Sequence, residues 1–208
     1  MRRETRKRLN DKINNVGVRK TEKVLSDLAE HELINKEGRW DDLRFPLVGR
    51  RLDSAAGNLD YNYAEVGVDF AANSDDADNE SLIFVAQMPH AWEEGTEIYP
   101  HLHWKQSQDN NVAWQLKYRM YTNGEAVPTT WVTVPMSTLK YTYTTGTLAQ
   151  ISTIPAIDMT GFSISTIIEF KLARIGASDS YTGNALATEF DVHYKTDSFG
   201  SEEEFLKY

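Results

Sequence analysis

Short runs of alternating apolar and polar residues, separated by turn residues, fill the sequence from Trp40 onward. Alternation with a period of two is typical of strands that bury one face and expose the other. The clearest runs place on one face Val112, Trp114, Leu116, Tyr118 and Met120; then Ile164, Thr166, Ile168, Phe170 and Leu172; then Phe190, Val192 and Tyr194. We expect the aromatic rings of Trp114, Phe170 and Phe190 to face the core. Residues 63–70 form a weaker predicted strand, and Asn123-Gly124 predicts a turn before a further strand at 130–134. Many short strands joined by turns predict a mainly β protein, and we expect an antiparallel, jelly-roll-like β-sandwich.

The segment 82–104 combines two strand signals, a connector and three of the five histidines. Residues 82–88 form an apolar run rich in β-formers, residues 89–95 carry turn residues, and residues 98–104 alternate. In the second predicted strand one face consists of Ile98, Pro100, Leu102 and Trp104, and the other of Tyr99, His101, His103 and Lys105. We therefore expect the two histidines on the polar face, with Leu102 and Trp104 in the core.

Composition limits the other possibilities. At 208 residues the chain is long enough for one well-buried core. It contains no cysteine, which excludes disulfides, thiolate metal sites and cysteine nucleophiles. No run reaches the roughly 18 to 20 apolar residues that span a bilayer, and the N-terminus lacks the apolar stretch of a signal peptide. We expect a protein that is neither inserted in a membrane nor exported.

The first 38 residues have a helical pattern, in contrast to the rest of the chain. Two short apolar stripes, interrupted at residues 14–17, consist of Leu9, Ile13 and Val16, and of Val24, Leu25 and Leu28. Stripes this narrow do not build a core of their own, so we expect them to pack on a partner subunit or a larger assembly. A helix packed on its own domain, or a frayed tail, is the alternative. The predicted organisation is a helical anchor or assembly segment at 1–38 and a β-sandwich domain at 39–208.

Charge is distributed unevenly between these two parts. The formal net charge is −9, yet residues 2–23 carry nine basic and three acidic residues. The remainder therefore carries about −15, and an acidic body disfavours general nucleic-acid binding. The basic leader could instead dock on an acidic protein surface or on phosphates, so the two parts require different partners.

A metal site is the sharpest chemical hypothesis that the sequence offers. Gly95 followed by His101 and His103 resembles the opening of the first cupin motif, G-x5-H-x-H, in which a small β-barrel holds iron, manganese or zinc. The glutamate that this motif requires is replaced by Ser107 and Gln108. His193 could supply a third ligand but lacks the flanking residues of the second cupin motif. We therefore prefer structural histidines, assign no metal, cofactor or catalytic residue, and note a possible histidine cluster of His90, His101 and His103.

Other chemistries have weaker support. The acidic loop at 75–80 could bind calcium, but it lacks the turn glycine and bidentate glutamate of an EF-hand. The G-x-S-x-G motif of serine hydrolases does not occur. Glu93 and Glu94 could suggest glycosidase chemistry but are most simply a solvated pair. Several aromatic side chains are expected to be exposed and could stack on sugars or make subunit contacts, the second being favoured. These are Trp92, Tyr99, Tyr141, Tyr143 and Tyr181, of which Trp92 and Tyr99 are the leading candidates for a glycan or interface surface.

Three blocks of the sequence carry a family resemblance. They are WDDLRFPL at 40–47, VAQMPHAWEEGTEIYPHLHW at 85–104 and EFDVHYKTDSFGSEEEFLKY at 189–208. In this order they resemble blocks shared by a group of structural proteins of tailed bacteriophages, of the form WDDLR-P, QMPH-----G-----PHVHW and DFHY-----GS. The resemblance extends over most of residues 40–208 and does not include the leader.

This resemblance implies a non-enzymatic virion component that is assembled in the host cytoplasm. The expected form is an appendage of the head, collar or tail, of decoration or fibre type, that forms a homo-oligomer, with a trimer favoured. Its partners would be other virion proteins, whether capsid, portal or tail components, and neither nucleic acid nor membrane is expected for the β domain. A carbohydrate-binding receptor module of a phage tail is the first alternative, and a cupin-like metal-binding enzyme is the second.

Overall fold

A computed structural model describes residues 38–47, 51–52, 59–72, 81–108, 110–134, 140–143, 148–197, 200–201 and 204 of the chain. Apart from Gly38, all of these belong to the second of two units into which the chain divides, Arg39–Tyr208. The helical leader with its six apolar positions lies outside the described residues, so its helices and its role as an anchor stay predictions. Among the described residues, no helix is both long and apolar enough to cross a membrane.

Twelve strands account for most of the described residues. They are β1 (Arg39–Pro46), β2 (Arg51–Leu52), β3 (Leu59–Asn62), β4 (Gly67–Phe70), β5 (Ser81–Gln87), β6 (Tyr99–Gln106), β7 (Asn110–Tyr121), β8 (Val132–Thr133), β9 (Lys140–Tyr143), β10 (Leu148–Thr153), β11 (Ile167–Arg174) and β12 (Ala185–Thr196). A single 3₁₀ turn at Gly176–Ser178 is the helical element in this part of the chain. The prediction of a mainly β domain is confirmed.

The strands form two antiparallel sheets. Sheet A has the order β10-β6-β12-β4-β3, with β1 also paired to β12, and sheet B has the order β2-β5-β11-β7-β8, with β9 also paired to β7. From β4 onward the chain alternates between the sheets, except that β7, β8 and β9 all belong to sheet B, and β4-β12-β6-β10 faces β5-β11-β7-β8. This is the strand order of a jelly roll, as the sequence predicts.

One core lies between the sheets because each strand buries alternate residues. Along β6 the burial alternates strictly, with Pro100, Leu102 and Trp104 inside. Phe84 of sheet B stacks on Phe190 of sheet A with ring centroids 5.0 Å apart. Each such fully buried side chain contributes about 1.5 to 3 kcal/mol by area. The predicted inward face of β6 is therefore confirmed, together with the predicted core aromatics Trp114, Phe170 and Phe190.

Two predicted strands are shorter than the sequence indicates. Residues 63–70 read as one strand, but residues 63–66 form a turn between β3 and β4, with Val66 at a positive φ of 56°. The run 130–134 contributes only β8. The predicted turn at Asn123-Gly124 is present, and Gly124 has the positive φ of 88° that glycine tolerates.

The pairing of β12 brings three distant parts of the sequence together. One edge of β12 pairs with β6, while the other edge pairs with β4 at Ala185–Ala187 and with β1 from Glu189 onward. A β-bulge at Thr188 interrupts the pairing with β6, and its hydroxyl donates to the carbonyl of His103 at 3.1 Å. Strands β1, β12 and β6 are thus neighbours in sheet A, and their outer faces form one continuous surface.

Candidate functional site

Five titratable side chains meet on the outer face of sheet A. They form the histidine–aspartate cluster, which consists of Asp42 from β1, His101 and His103 from β6, and Asp191 and His193 from β12. The period of two along each strand puts these residues on one face, opposite the core-facing Leu102 and Trp104. Direct cross-strand pairing then aligns His101 with Asp191 and Asp42 with His193.

Asp191 is the centre of the cluster. Its side chain is only 6% exposed, although it lies on the outer face of the sheet. His193 Nε2 lies 2.9 Å from Asp191 Oδ2, and His103 Nε2 lies 2.9 Å from Asp191 Oδ1. His101 Nδ1 is farther away, 3.8 Å from Oδ2. A buried carboxylate is therefore surrounded by three imidazoles, which offsets the cost of removing its charge from water.

His193 lies between two carboxylates. Its Nε2 atom is 3.1 Å from Asp42 Oδ1 as well as 2.9 Å from Asp191 Oδ2. The imidazole ring of His101 lies against that of His193, with centroids 4.1 Å apart. One Nε2–H group cannot direct a linear hydrogen bond at two carboxylates at once. The Nε2–H group of His193 can therefore donate to only one of the two carboxylates that lie beside it.

Two atoms of the cluster are buried without a hydrogen-bond partner. His101 Nδ1 and Asp191 Oδ1 are both of this kind, because the neighbouring imidazole and carboxylate groups are close but poorly aligned. Burial lowers the pKa of the His101 imidazole, and the adjacent His193 lowers it further. A neutral imidazole then offers a lone pair to the interior of the cluster.

An ion pair borders the cluster. Arg44 donates through Nε and Nη2 to the two carboxylate oxygens of Glu189, at 2.6 and 2.9 Å. The hydrogen bond from Arg44 lowers the pKa of the Glu189 carboxyl. Glu189 is the direct cross-strand partner of His103. Its charge is therefore already engaged by Arg44, and the histidines face Asp191 and Asp42 instead.

The structure separates the predicted histidine cluster into two groups. His101 and His103 lie together as predicted, on the outer face of β6. His90 instead contacts two serines: its Nδ1 lies 2.6 Å from Ser201 Oγ and its Nε2 lies 3.3 Å from Ser165 Oγ. The prediction that His90 belongs to this cluster is wrong, because the connector after β5 directs its ring toward Ser165 and Ser201 instead.

The prediction of exposed aromatics is wrong for two residues. Trp92 has no exposed surface and donates through Nε1 to Thr96 Oγ1 at 3.0 Å, which holds the connector between β5 and β6. Tyr181 is 2% exposed and packs beside the guanidinium of Arg174. The turn residues around Trp92 and Tyr181 favour exposed side chains, but in the structure both rings pack onto the core. Tyr99 remains partly exposed and meets Trp40 edge-on at 5.2 Å.

Other predicted sites have a structural role or lie outside the described chain. Glu94 accepts a hydrogen bond from the Ile164 amide at 2.7 Å, so this carboxylate fixes a loop. The acidic loop at 75–80 is outside the described residues, as are the apolar positions of the leader. The side chains of Tyr141 and Tyr143 are likewise not described.

The cluster contains two residues that sequence reasoning did not select. Asp191 and Asp42 were assigned no role, because acidic residues on a polar strand face are usually solvated. The signal that could have found Asp191 is its spacing of two from His193, the same spacing that relates His101 to His103. What was missing is the pairing of β12 with β6, which alone brings those two motifs together.

A groove lies at one end of sheet B, away from this cluster. It has a volume of about 410 Å³ and is lined by Gln87, Tyr121, Asn123, Glu125, Val127 and Ile167, among others. The Tyr121 hydroxyl at its margin donates to Glu169 at 2.9 Å. The groove is open and mixed in polarity, and its lining includes no histidine.

Comparison with known proteins gives similarity to solved structures only. No protein-family model and no curated protein matches the sequence. The chain is similar to the isomalto-dextranase of Arthrobacter globiformis at 12% identity and a TM-score of 0.42, covering 73% of this chain and 23% of that one. It is similar to a carbohydrate-binding module specific for non-crystalline cellulose at 11% identity and a TM-score of 0.36, covering 77% and 89%.

A third similarity is to tailspike protein 4 of bacteriophage CBA120. The identity is 10% and the TM-score 0.31, covering 79% of this chain and 20% of that one. The chain therefore spans less than a quarter of the length of both the tailspike domain and the isomalto-dextranase. With TM-scores below 0.5, these similarities assign no function to the chain.

Proposed function

We propose that this chain is a non-enzymatic structural protein of a tailed-phage virion, and that residues 1–38 attach its β-sandwich to the particle. The observation that carries the proposal is the location of the three resemblance blocks. WDDLRFP forms β1, YPHLHW lies in β6, and EFDVHYKT ends β12. Blocks that are up to about 150 residues apart in sequence are adjacent strands in sheet A.

The histidine–aspartate cluster takes residues from all three blocks. Asp42 comes from the first, His101 and His103 from the second, and Asp191 and His193 from the third. The three blocks that carry the resemblance thus belong to a single structural unit. Such a unit positions β1, which follows directly on the proposed attachment segment. The arrangement suits a displayed domain whose first strand must resist being pulled from its sheet.

Exposed apolar side chains support a role in assembly. Ile151 on the edge strand β10 is 64% exposed, and Val85 and Val132 on sheet B are 56% and 52% exposed. An edge strand such as β10 presents unpaired backbone groups to which a strand of a second subunit can be added. We therefore propose that the protein forms a homo-oligomer, with a trimer favoured. Its proposed partners are capsid, portal or tail components.

Particle incorporation tests this proposal. Purified particles of the encoding phage should contain the protein, detected by mass spectrometry and located in an electron density map of the particle. A variant lacking residues 1–38 should fold, as judged by circular dichroism, yet be absent from particles when supplied in place of the full chain. Full incorporation of the folded, truncated variant would falsify the attachment role. Absence of the full chain from particles would refute the virion role itself.

A carbohydrate-binding module is a second candidate, favoured by one specific observation. Trp40 is 53% exposed, meets Tyr99 edge-on, and has Lys195 Nζ 5.7 Å from its ring centre. An exposed indole beside a second ring offers a surface on which a sugar can stack. Trp131 is the control, because its ring lies beside Arg119 and Lys171 of sheet B. Glycan-array binding that is lost in a Trp40→Ala variant and kept in a Trp131→Ala variant would support this candidate. No binding to any glycan would exclude it.

The cupin-like enzyme has less support than either candidate. His101 and His103 lie on the outer face of sheet A, whereas Leu102 and Trp104 fill the space between the sheets. A substrate would therefore meet the histidines on an open sheet surface. Turnover of any substrate by the purified, metal-loaded protein would support the cupin-like enzyme.

A further inference from the structure

We infer that the histidine–aspartate cluster binds one divalent transition-metal ion, with Zn²⁺ as the preferred ion, and that the metal joins strands β1, β6 and β12. The coordinating atoms are His101 Nδ1, His193 Nε2 and Asp191 Oδ2, and Asp42 Oδ1 supplies the fourth position. The inference rests on the positions of these atoms and does not depend on the virion role.

The distances fit a tetrahedral site. The ligand atoms of His101, Asp191 and His193 all lie within 4.8 Å of one another. Zinc binds histidine nitrogen at about 2.0 to 2.1 Å and carboxylate oxygen at about 2.0 to 2.2 Å, so ligand atoms on one ion are about 3.3 Å apart in a tetrahedron. The contacts at 2.9, 3.1 and 3.8 Å are near this value. Asp42 is not part of this group of three, so its carboxylate would have to turn toward His101 and Asp191 to supply the fourth ligand.

The unsatisfied atoms favour a cation over a hydrogen-bonded network. His101 Nδ1 is buried without a hydrogen-bond partner, 3.8 Å from Asp191 Oδ2, and in the tautomer protonated at Nε2 it directs a lone pair toward that oxygen. His193 Nε2 lies close to two carboxylates and can satisfy one of them by donation. A metal ion accepts electron pairs from all four atoms at once. Buried polar atoms of this kind otherwise cost about 1 to 3 kcal/mol each.

Charge and donor type point to zinc. Two imidazoles and two carboxylates are the nitrogen and oxygen ligands that Zn²⁺ accepts, and Asp42 and Asp191 neutralise its double charge. Ca²⁺ and Mg²⁺ require mainly oxygen ligands, which the two histidines do not provide. His103 lies beside the other oxygen of Asp191 and would orient this carboxylate rather than bind the metal.

The four ligands come from three different strands, with Asp191 and His193 both on β12, which distinguishes the set from a motif on one segment. His101 and Asp191 are direct cross-strand partners, and so are His193 and Asp42. The metal would thus bridge β6, β12 and β1 across two neighbouring pairings. A metal at this point holds the sheet together where β1, the first described strand, is added to it.

Zinc content and affinity in the full, untagged chain test this inference. We expect one zinc ion per chain by mass spectrometry of metals after dialysis from zinc-containing buffer. Calorimetric titration with ZnCl₂ should show at least about tenfold weaker binding for His193→Gln than for the wild-type protein. His193 is 39% exposed, so this substitution is expected to leave the fold intact. The Co²⁺-loaded wild-type protein should show the intense visible absorption of a tetrahedral site.

His90→Gln is the matched control, because this histidine lies outside the cluster. It should bind zinc with wild-type affinity and stoichiometry. His103→Gln should weaken binding by roughly tenfold, since it removes only the group that orients Asp191. The inference is overturned if the wild-type protein binds no stoichiometric zinc, if His193→Gln keeps wild-type affinity, or if His90→Gln loses zinc to the same extent. Asp191→Asn is a second ligand variant. If the Asp191→Asn protein does not fold, the zinc affinity of His193→Gln decides whether the inference holds.

Discussion

The guanidinium of Arg174 donates to both carboxylate oxygens of Asp179, at 2.7 and 3.2 Å, and the two side chains are 0% and 2% exposed. The remaining donors of Arg174 reach the carbonyl oxygens of Phe70, Gly183 and Tyr181. This buried arginine therefore links the end of β11 to β4 and to the loop before β12. Every charged atom has a partner, which makes the burial tolerable.

Removing one partner of this pair should be strongly destabilising. In Asp179→Ala the guanidinium keeps its burial but loses its counter-charge, and we expect a loss of about 3 to 5 kcal/mol in the free energy of unfolding. Urea denaturation followed by tryptophan fluorescence measures this quantity. The matched control is Arg44→Gln, which breaks a pair whose arginine side chain is 68% exposed and should change the free energy of unfolding far less. Equal losses in the two variants would contradict the role assigned to burial.

Much of the fold could be predicted from the sequence because strand burial has a period of two. The alternation in residues 98–104 correctly placed Leu102 and Trp104 in the core and His101 and His103 outside. The aromatic core residues followed from the same rule. These are local patterns that depend only on neighbouring residues in the chain.

The remainder depends on which strands pair, and sequence periodicity does not contain that information. Asp191 became the centre of a site only because β12 pairs with β6 and β1 at the same time. Trp92 looked exposed because it lies in a turn-rich connector, yet the connector folds back and buries it. The polar partners of Arg174 come from Phe70 and from residues 179–183, two parts of the chain about 100 residues apart, so no local pattern predicts its burial.

Trp92 and Trp40 provide a matched test of burial. Trp92→Ala removes a fully buried indole together with its hydrogen bond to Thr96, and we expect a loss of about 3 to 5 kcal/mol. Trp40→Ala alters a ring that is 53% exposed and should cost below about 1 kcal/mol. Thermal and urea unfolding of both variants measure the difference. A smaller loss for Trp92→Ala than for Trp40→Ala would refute the assignment of Trp92 to the core.

The two indoles that meet in the core at 5.6 Å differ in their hydrogen bonding. Trp104 donates through Nε1 to Ser152 Oγ at 2.6 Å, whereas Trp114 Nε1 is buried with no hydrogen-bond partner. Ser152→Ala should cost about 0.5 to 1.5 kcal/mol, the net contribution of one hydrogen bond, because it removes the hydroxyl that accepts from the Trp104 N–H. Urea titration measures the loss. A neutral Ser152→Ala variant would mean that this hydrogen bond contributes nothing to stability.

Gly67 lies where β4 approaches the bulged segment of β12. A Cβ atom added there would come within 3.0 Å of the carbonyl oxygen of Ala187, and would also crowd the side chain of Leu186. Backbone atoms in a paired strand do not yield easily, so Gly67→Ala should cost about 1 to 3 kcal/mol by overpacking. A melting temperature equal to that of the wild-type protein would show that the two strands separate without strain.

Metal removal should act first on β1, if the cluster holds zinc. The ion would connect β1 to β12 through Asp42, so opening of β1 would have to release it. At a free zinc concentration 100 times the dissociation constant, binding adds about 2.7 kcal/mol, which corresponds to about 100-fold slower exchange of the amides that require this opening. Hydrogen exchange monitored by mass spectrometry, with zinc and with a chelator, measures the effect on residues 39–45. Strand β11 lies in sheet B and serves as the internal control, because its local opening does not break the site. Slowing of β11 without any slowing of β1 would place the bound metal elsewhere, whereas slowing of β1 that disappears in His193→Gln would locate it in the cluster.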